Sequence, residues 1–328
     1  MYNVIMATYN GEKYVVEQLD SIVNQTILPR SIIIRDDCST DNTCSIIREY
    51  IKNYRGSVRF NIIEPSQNLG YVKNFDVLSR AADAEIVFFC DQDDVWVKNK
   101  AEIILNKFNE NASLNLIFSD AELVNDKLEE IGLLWNCIGF NFDKDRITLA
   151  RLHKKSVVTG ATMACRRAFL HTLVPFPEDV PHDLWLSACS TFQGSIGICK
   201  EPLIKYRQHS NNQIGVRESN FLQKILTPFK SNKIKFRVQH YKNNYQINEA
   251  MASFIPNYRD STEHKEIMMF LTFVGRIYQI DFYKHDNKYS HFDTIKAYVK
   301  YNDKKHILFN LIDSFWVHIA GFKQGGGK

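Results

Sequence analysis

The first ninety positions alternate short apolar runs with polar clusters. Tyr2–Ala7 (YNVIMA), Ser31–Arg35 (SIIIR), Val58–Ile63 and Glu85–Cys90 (EIVFFC) read as strands. Helical periodicity follows over Glu12–Gln25, where Tyr14, Leu19, Ile22 and Val23 supply an apolar side. A second helix is predicted from the cap residues Thr40, Asp41 and Asn42 through Ile46, Ile47 and Tyr50, and a third over Asn74–Ala82. Strands alternating with helices predict an α/β domain with a mostly parallel sheet. The polar clusters Thr8–Asn10, Asp36–Asp37 and Asp91–Asp94 each follow a strand. Ligands bind at the carboxyl ends of strands in such sheets, so the three clusters are expected to converge.

Beyond Leu114 the alternation weakens. Asn115–Ser119, Ser156–Cys165, Ser195–Cys199 and Leu203–Tyr206 read as strands, and Arg166–Leu173 as a helix. A proline-rich stretch, Val174–Pro181, precedes His182-Asp183-Leu184-Trp185. After Gly215 the chain turns helical, basic and aromatic, which sets a boundary between residues 1–215 and 216–328. Leu308–Phe322 carries apolar residues at helical spacing and reads as an amphipathic helix.

With 328 residues, 45% hydrophobic and 24% charged, the composition is that of a folded protein. The net charge of +4 is uneven: the C-terminal third is basic and the remainder acidic. A basic third suits an anionic surface or ligand, or is simply a solvated face. Seven cysteines without a CxxC pair predict reduced thiols in a cytoplasmic protein. Neither a signal peptide nor a transmembrane run is read.

The acids Asp91, Asp93 and Asp94 at the end of an apolar strand need a cation or hydrogen-bond donors to compensate them. Hard carboxylate oxygens suit Mg²⁺ or Mn²⁺; the alternative is an acidic loop capping the next helix. Asp183 reads as a helix cap, or as a general base with His182 beside it. In Tyr206-Arg207-Gln208-His209, Arg207 and His209 suit diphosphate oxygens and His209 a metal, unless the run is a basic surface turn. No GxGxxG or Walker motif is present.

Taken in order, these pieces resemble the family 2 inverting glycosyltransferases of the GT-A fold, over residues 2–215. Ala7-Thr8-Tyr9-Asn10-Gly11-Glu12 resembles that family's first nucleotide-binding loop. Asp36–Asp41 resembles its DD-x-S-x-D element, with Asp37 matched to the carboxylate that meets the base. Asn68-Leu69-Gly70 with Asn74 resembles the next element, and Asp91-Gln92-Asp93-Asp94 with Trp96 and Lys100 the DxD region. Thr159-Gly160-Ala161 matches the acceptor-side loop and His182-Asp183 the base position. The wording DQDDxW and HDLW…YRQH is most similar to bacterial rhamnosyltransferases and other O-antigen and polysaccharide enzymes.

The resemblance implies donor contacts from Thr8, Tyr9, Asn10, Glu12, Asp37, Asn68, Gly70, Lys73, Asp91, Gln92 and Arg207. It implies a metal on Asp93, with Asp91 and His209 nearby, acceptor contacts from Gly160, His182 and Trp185, and Asp183 as base. The implied partners are a UDP- or dTDP-linked donor and a glycan acceptor, with a lipid-linked acceptor, the inner face of the cytoplasmic membrane or a second copy as candidates for the basic C-terminal third. Nucleic acid is not expected, because no RNP, helix-turn-helix or zinc pattern accompanies the basic residues. Two other classes stand beside this one. A nucleotidyltransferase would show a Gly-rich basic N-terminal loop, which Tyr9-Asn10-Gly11-Glu12 does not supply, and an inactive sugar-nucleotide-binding scaffold would not need the intact acids.

Overall fold

The computed structural model describes residues 1–154, 156–178, 180–208, 231–278 and 294. The chain divides into two compact units, Met1–Glu218 and Ser219–Lys328. In the first unit, β1 (Tyr2–Thr8), β2 (Ser31–Asp36), β3 (Arg59–Ile63) and β4 (Ile86–Cys90) are parallel and lie in the order β3-β2-β1-β4. They are joined by α1 (Val15–Val23), α2 (Thr43–Asn53) and α3 (Gly70–Ala81). Tyr2, Val4, Ile5 and Met6 and all of β4 are buried, which is why these strands read as unbroken apolar runs. β3 lies at the sheet edge and exposes most of its side chains.

From β1 the chain steps outward to β2 and β3, and α3 then returns it to β4 on the other side of β1. Such a reversal opens a crevice at the carboxyl ends of the strands. The register pairs Thr8 with Asp36 and Met6 with Cys90, so the three polar clusters leave the sheet at the same end. α3 begins at Gly70, earlier than periodicity predicts, because the Asp37 carboxylate caps its first turn, a contact between distant residues.

The rest of the sheet is mixed. β4 pairs antiparallel with β8 (Met163–Arg166), which also pairs antiparallel with β6 (Leu116–Val124). β6 runs parallel to β9 (Ile196–Arg207), β9 antiparallel to β5 (Val95–Trp96), and β7 (Glu130–Leu133) folds back on β6. The two closing strands expected at Ser195–Cys199 and Leu203–Tyr206 are thus one. The register shifts between Ser119 and Asp120, leaving Lys200 and Glu201 without partners on β6, and again between Asp120 and Glu122, on either side of Pro202, which cannot donate to a ladder. The strand expected over Ser156–Cys165 forms only from Met163. Before it, Gly160–Thr162 is a 3₁₀ turn closed by the Thr162 amide and hydroxyl on the Thr159 carbonyl. The helices α4 (Lys100–Glu110), α5 (Leu134–Ile138), α6 (Leu149–Lys154), α7 (Arg167–Thr172) and α8 (His182–Phe192) complete this unit among the described residues.

In the second unit, helices Ser231–Phe254 and Thr262–Tyr278 pack on one another around Ile247, Met251, Ile255, Ile267, Leu271 and Val274. Tyr258 closes their junction with a buried hydroxyl bond to Asn248. The helix expected over Leu308–Phe322 lies outside the described residues. No helix among the described residues is long and apolar enough to cross a membrane.

Candidate active site

The loops after β1 and β2 are laced together. Thr8 is buried, and its hydroxyl donates to Asp36 across 2.8 Å. Ser39 reaches the same carboxylate through its amide (2.7 Å) and hydroxyl (2.6 Å). The Asn10 amide donates to the Ser39 hydroxyl (2.8 Å), and the Asn10 side-chain oxygen accepts from the Thr40 amide (2.8 Å). Glu12 accepts from the Asn42 amide and side chain, both at 2.9 Å, and Asp41 from the amides of Glu12 and Thr43. Asn10 and Cys38 hold left-handed backbone at φ 52° and 66°, which costs free energy in non-glycine residues and concentrates where a loop must hold a set shape. Tyr9, between these loops, is 43% exposed.

Asp37 is buried. One of its oxygens accepts from Arg35 (2.9 Å) and the Leu69 amide (2.8 Å), the other from the Gly70 amide (2.8 Å). Asn68 donates to the Asp37 carbonyl (2.7 Å), and the buried Arg35 also binds Asn74 (3.0 Å). Gly70 sits at φ 77°, where a side chain would strain the turn that aims its amide at Asp37. The Asn68–Gly70 element is therefore joined to Asp37 as one assembly. Lys73, on the exposed side of α3, pairs with Glu178 (2.9 Å).

The acidic loop after β4 meets the first loop through Gln92, which accepts from the Tyr9 amide (2.8 Å) and donates to its carbonyl (2.9 Å). A β-carbon on Gly11 would lie 2.1 Å from the Gln92 side-chain oxygen, so a larger residue there would displace Gln92 from its bonds to Tyr9. Asp94 is 1% exposed. One of its oxygens accepts from the Arg207 amide (3.2 Å), and the other is buried with no hydrogen-bond partner. Burial, then Asp93 and Asp91, push the Asp94 carboxyl well above its usual range. Burial, then Asp93 and Asp183, push Asp91 up to about 7.

Two cationic residues frame this loop. Lys100, fully buried at the start of α4, donates to the Ala161 carbonyl (2.8 Å) and lies 4.0 Å from the centre of the Trp96 ring. Burial pushes it down to about 7 against the opposing pull of Cys90, Asp94 and Asp91. Arg207 is 1% exposed and donates to the carbonyls of Asp93 (2.9 Å) and Asp126 (2.7 Å) and to the Glu17 carboxylate. Its guanidinium also stacks over Tyr14 at 4.4 Å. The expectation of a diphosphate contact from Arg207 meets a different placement here: the side chain is a buried clamp on the acidic loop, because protein carbonyls occupy its donors.

Asp183 lies in the first turn of α8 and accepts from the Leu184 amide (2.7 Å). Burial pushes its carboxyl up to about 6 while backbone N–H groups, Leu184 foremost, pull it down. It acts electrostatically on Asp91 and on Tyr71, so donor-side and base-side acids converge. The neighbouring His182 turns away into Phe75, Phe89 and Tyr71, with ring centres at 4.2, 5.4 and 6.2 Å. Burial pushes it down to about 3, so it is neutral. Trp185 is fully buried and donates to the Leu173 carbonyl (3.1 Å). Of the three residues expected to touch the acceptor, His182 and Trp185 thus sit in the core, and Gly160 lies against the His182 ring. His209 lies outside the described residues.

Sequence reasoning gave no role to Lys100 or Tyr206. A lysine at a helix start opposes the helix dipole, and that was the available signal for Lys100. Tyr206 is buried in β9, and its hydroxyl is pushed up by burial and then by Asp94, Asp91, Asp93 and Asp183 together. No sequence spacing reveals that position. Among the described residues no three acidic, histidine or cysteine side chains form a ready-made metal cage. The residues nonetheless fit a hard divalent cation, because a buried Asp94 oxygen lacks a partner and the adjacent acids are short of positive charge. Mg²⁺ and Mn²⁺ are commonly held by one or two carboxylates with the substrate's phosphates completing the shell.

A parallel sheet with its reversal beside β1, extended by mixed strands and bearing acids at the strand ends, defines a GT-A architecture. The profile of glycosyl transferase family 2 matches residues 3–174. The dTDP-rhamnosyl transferase RfbG of Shigella flexneri is 32% identical over 239 residues, which is 65% of this chain and 75% of that protein. The chain belongs to glycosyl transferase family 2 and is a glycosyltransferase. Its fold is similar to that of S. aureus TarS 1-349 crystallised with UDP, with a TM-score of 0.53 at 17% identity over 85% of this chain and 81% of that one. It is also similar to the mannosyltransferase PcManGT of Pyrobaculum calidifontis in complex with GDP-Man and Mn²⁺, with a TM-score of 0.51 at 15% identity over 98% and 88% of the two chains.

Proposed function

We propose that the protein transfers one sugar from a UDP-sugar or dTDP-rhamnose to a hydroxyl of a glycan acceptor, inverting the anomeric centre, in bacterial surface polysaccharide assembly. The observation that carries this reading is the packing of His182, beside Asp183, on Phe89 of β4 (ring centres 5.4 Å), which brings a carboxyl suited to proton abstraction to the strand that ends in the acidic loop, within electrostatic reach of Asp91. The dTDP-rhamnosyl activity in the name of RfbG and the UDP held by TarS support the donor class.

Tyr9 offers an exposed ring to the base, beside the Asp37 assembly with Asn68 and Gly70. Thr8, Asn10 and Glu12 act by fixing the loop that carries Tyr9, and Gln92 ties that loop to Asp91–Asp94. Lys73, exposed beside this element, serves the donor phosphates or the acceptor. Asp93, with Asp91 and Asp94 around it and His209 as a further ligand, would hold Mn²⁺ or Mg²⁺, whose charge offsets that of the departing diphosphate. Asp183 takes the proton of the acceptor hydroxyl as that oxygen attacks the anomeric carbon from the face opposite the leaving group. Catalysis is assigned to residues 1–215. The helical residues 216–328 are assigned to the acceptor side, with contact to the inner face of the cytoplasmic membrane, a lipid-linked acceptor or a second copy.

The test is Asp183→Asn. It is expected to abolish transfer while UDP or dTDP binds as before, and the wild-type product is expected to carry the inverted anomeric configuration by NMR. Transfer undiminished in Asp183→Asn, or retained configuration, contradicts the reading.

A further inference from the structure

Across β4, β8 and β6 the register sets Phe88, Ala164 and Ile117 side by side. The next level, on the opposite face of the sheet, holds Phe89, Met163 and Phe118. That face carries α8, because His182 stacks on Phe89 with ring centres 5.4 Å apart. Trp135 packs edge-on against Phe118 on the same face, at 5.9 Å. Two residues further along, Asp91 leaves β4, and Asp120 shares the Phe118 face of β6. The two acids thus stand level at the carboxyl edge, two strands and so about 10 Å apart. The Gly160–Thr162 turn enters β8 between them.

Asp120 is 5% exposed. Its Oδ1 accepts from the amides of Ala121 (2.8 Å) and Trp135 (3.0 Å), the latter in the first turn of α5. Among the described residues its Oδ2 is neither bonded nor sealed from solvent. Burial pushes the carboxyl up, against the pull of the two amides. If holding α5 were its whole task, an asparagine would serve as well without the cost of burying a charge. We propose that Asp120 binds the acceptor: its Oδ2 accepts from a hydroxyl of the acceptor sugar other than the one that Asp183 deprotonates, and so selects which sugar is extended. A carboxylate oriented by two amides gives a charge-assisted bond of set direction, and a site built to bond a hydroxyl rejects the analogue that lacks it. Which hydroxyl reacts rests on the base reading of Asp183 above; the contact with Asp120 is testable without turnover.

The experiment is a saturation-transfer NMR titration of the full chain, held with UDP or dTDP and Mg²⁺, against a panel of methyl pyranosides. Asp120→Asn keeps an Oδ1 for both amides, so its urea unfolding midpoint and its nucleotide binding are expected to match wild type. At least one glycoside is expected to bind wild type and to bind the variant at least tenfold more weakly. A panel in which no glycoside depends on Asp120 overturns the proposal. Monodeoxy forms of the bound glycoside supply a second measurement that needs no variant. Removing one hydroxyl is expected to weaken binding to wild type at least tenfold, and equal binding of every monodeoxy form overturns the contact. Failure of the base reading is separate, and would show as transfer surviving Asp183→Asn.

Discussion

Lys100 donates across 2.8 Å to the carbonyl of Ala161, joining the floor of the acidic loop to the 3₁₀ turn whose Gly160 lies against His182, the neighbour of Asp183. Donor-side charge and base-side geometry therefore share one buried strut. Lys100→Met is expected to keep stability close to wild type, because an apolar side chain of similar volume spares the cost of burying an ammonium. Transfer is expected to fall at least tenfold, since the turn loses its tether and Asp91 and Asp94 lose a compensating cation. Lys100→Ala adds a cavity and is expected to cost about 2–4 kcal/mol in denaturant unfolding. Wild-type turnover in a folded Lys100→Met variant would contradict the strut.

The acids predict an unusual dependence of stability on pH. Asp91 and Asp183 are raised to about 7 and about 6, and Asp94 is raised as well, so the folded state holds more protons than the unfolded state above pH ~4. Their contribution is fully present below the unfolded carboxylate range and is lost as pH rises through 6 to 7. Lys100 has the opposite sign: it is lowered to about 7, so its penalty fades as pH rises from there toward the unfolded lysine value. Lowered groups such as Asp41 act only below pH ~4. Urea unfolding in chelator at pH 5, 6 and 7 is expected to show declining stability. Mn²⁺ is expected to stabilise more at pH 7.5 than at pH 5.5, because metal competes with protons for the carboxylates.

Much of this was legible because β1, β2 and β4 are buried in a parallel sheet and their polar ends mark the carboxyl edge. The second half was harder to read. β9 looks like two strands because Lys200–Pro202 interrupts its pattern, and the two-residue β5 is too short to carry any periodicity. Roles were less legible than positions. Asp37 holds the start of α3 and Asp183 lies in the first turn of α8, but spacing does not show that Arg207 faces protein carbonyls or that His182 points into Phe75 and Phe89. Those are contacts between elements distant in sequence.

Arg207 joins the Asp93 carbonyl, the Asp126 carbonyl and Glu17, and its amide holds Asp94. Arg207→Met is expected to destabilise the fold by about 2–4 kcal/mol, as buried carbonyls lose their donors. Arg207→Lys is expected to recover little of this, because a single ammonium cannot span the three acceptors that the planar fork reaches. Both are expected to weaken Mn²⁺-dependent nucleotide binding through the displaced acidic loop. An Arg207→Lys variant with wild-type stability and binding would return Arg207 to a direct donor role.

A metal-assisted nucleotide site on the acidic loop is the centre of this account, and a thermal-shift panel of UDP, dTDP, GDP and CMP, each with and without Mn²⁺, tests it most directly. The expected result is a rise of several degrees with UDP or dTDP that requires the metal and disappears in Asp93→Ala. If no nucleotide moves the melting temperature under either condition, or if Asp93→Ala responds like wild type, the donor site has been assigned to the wrong residues.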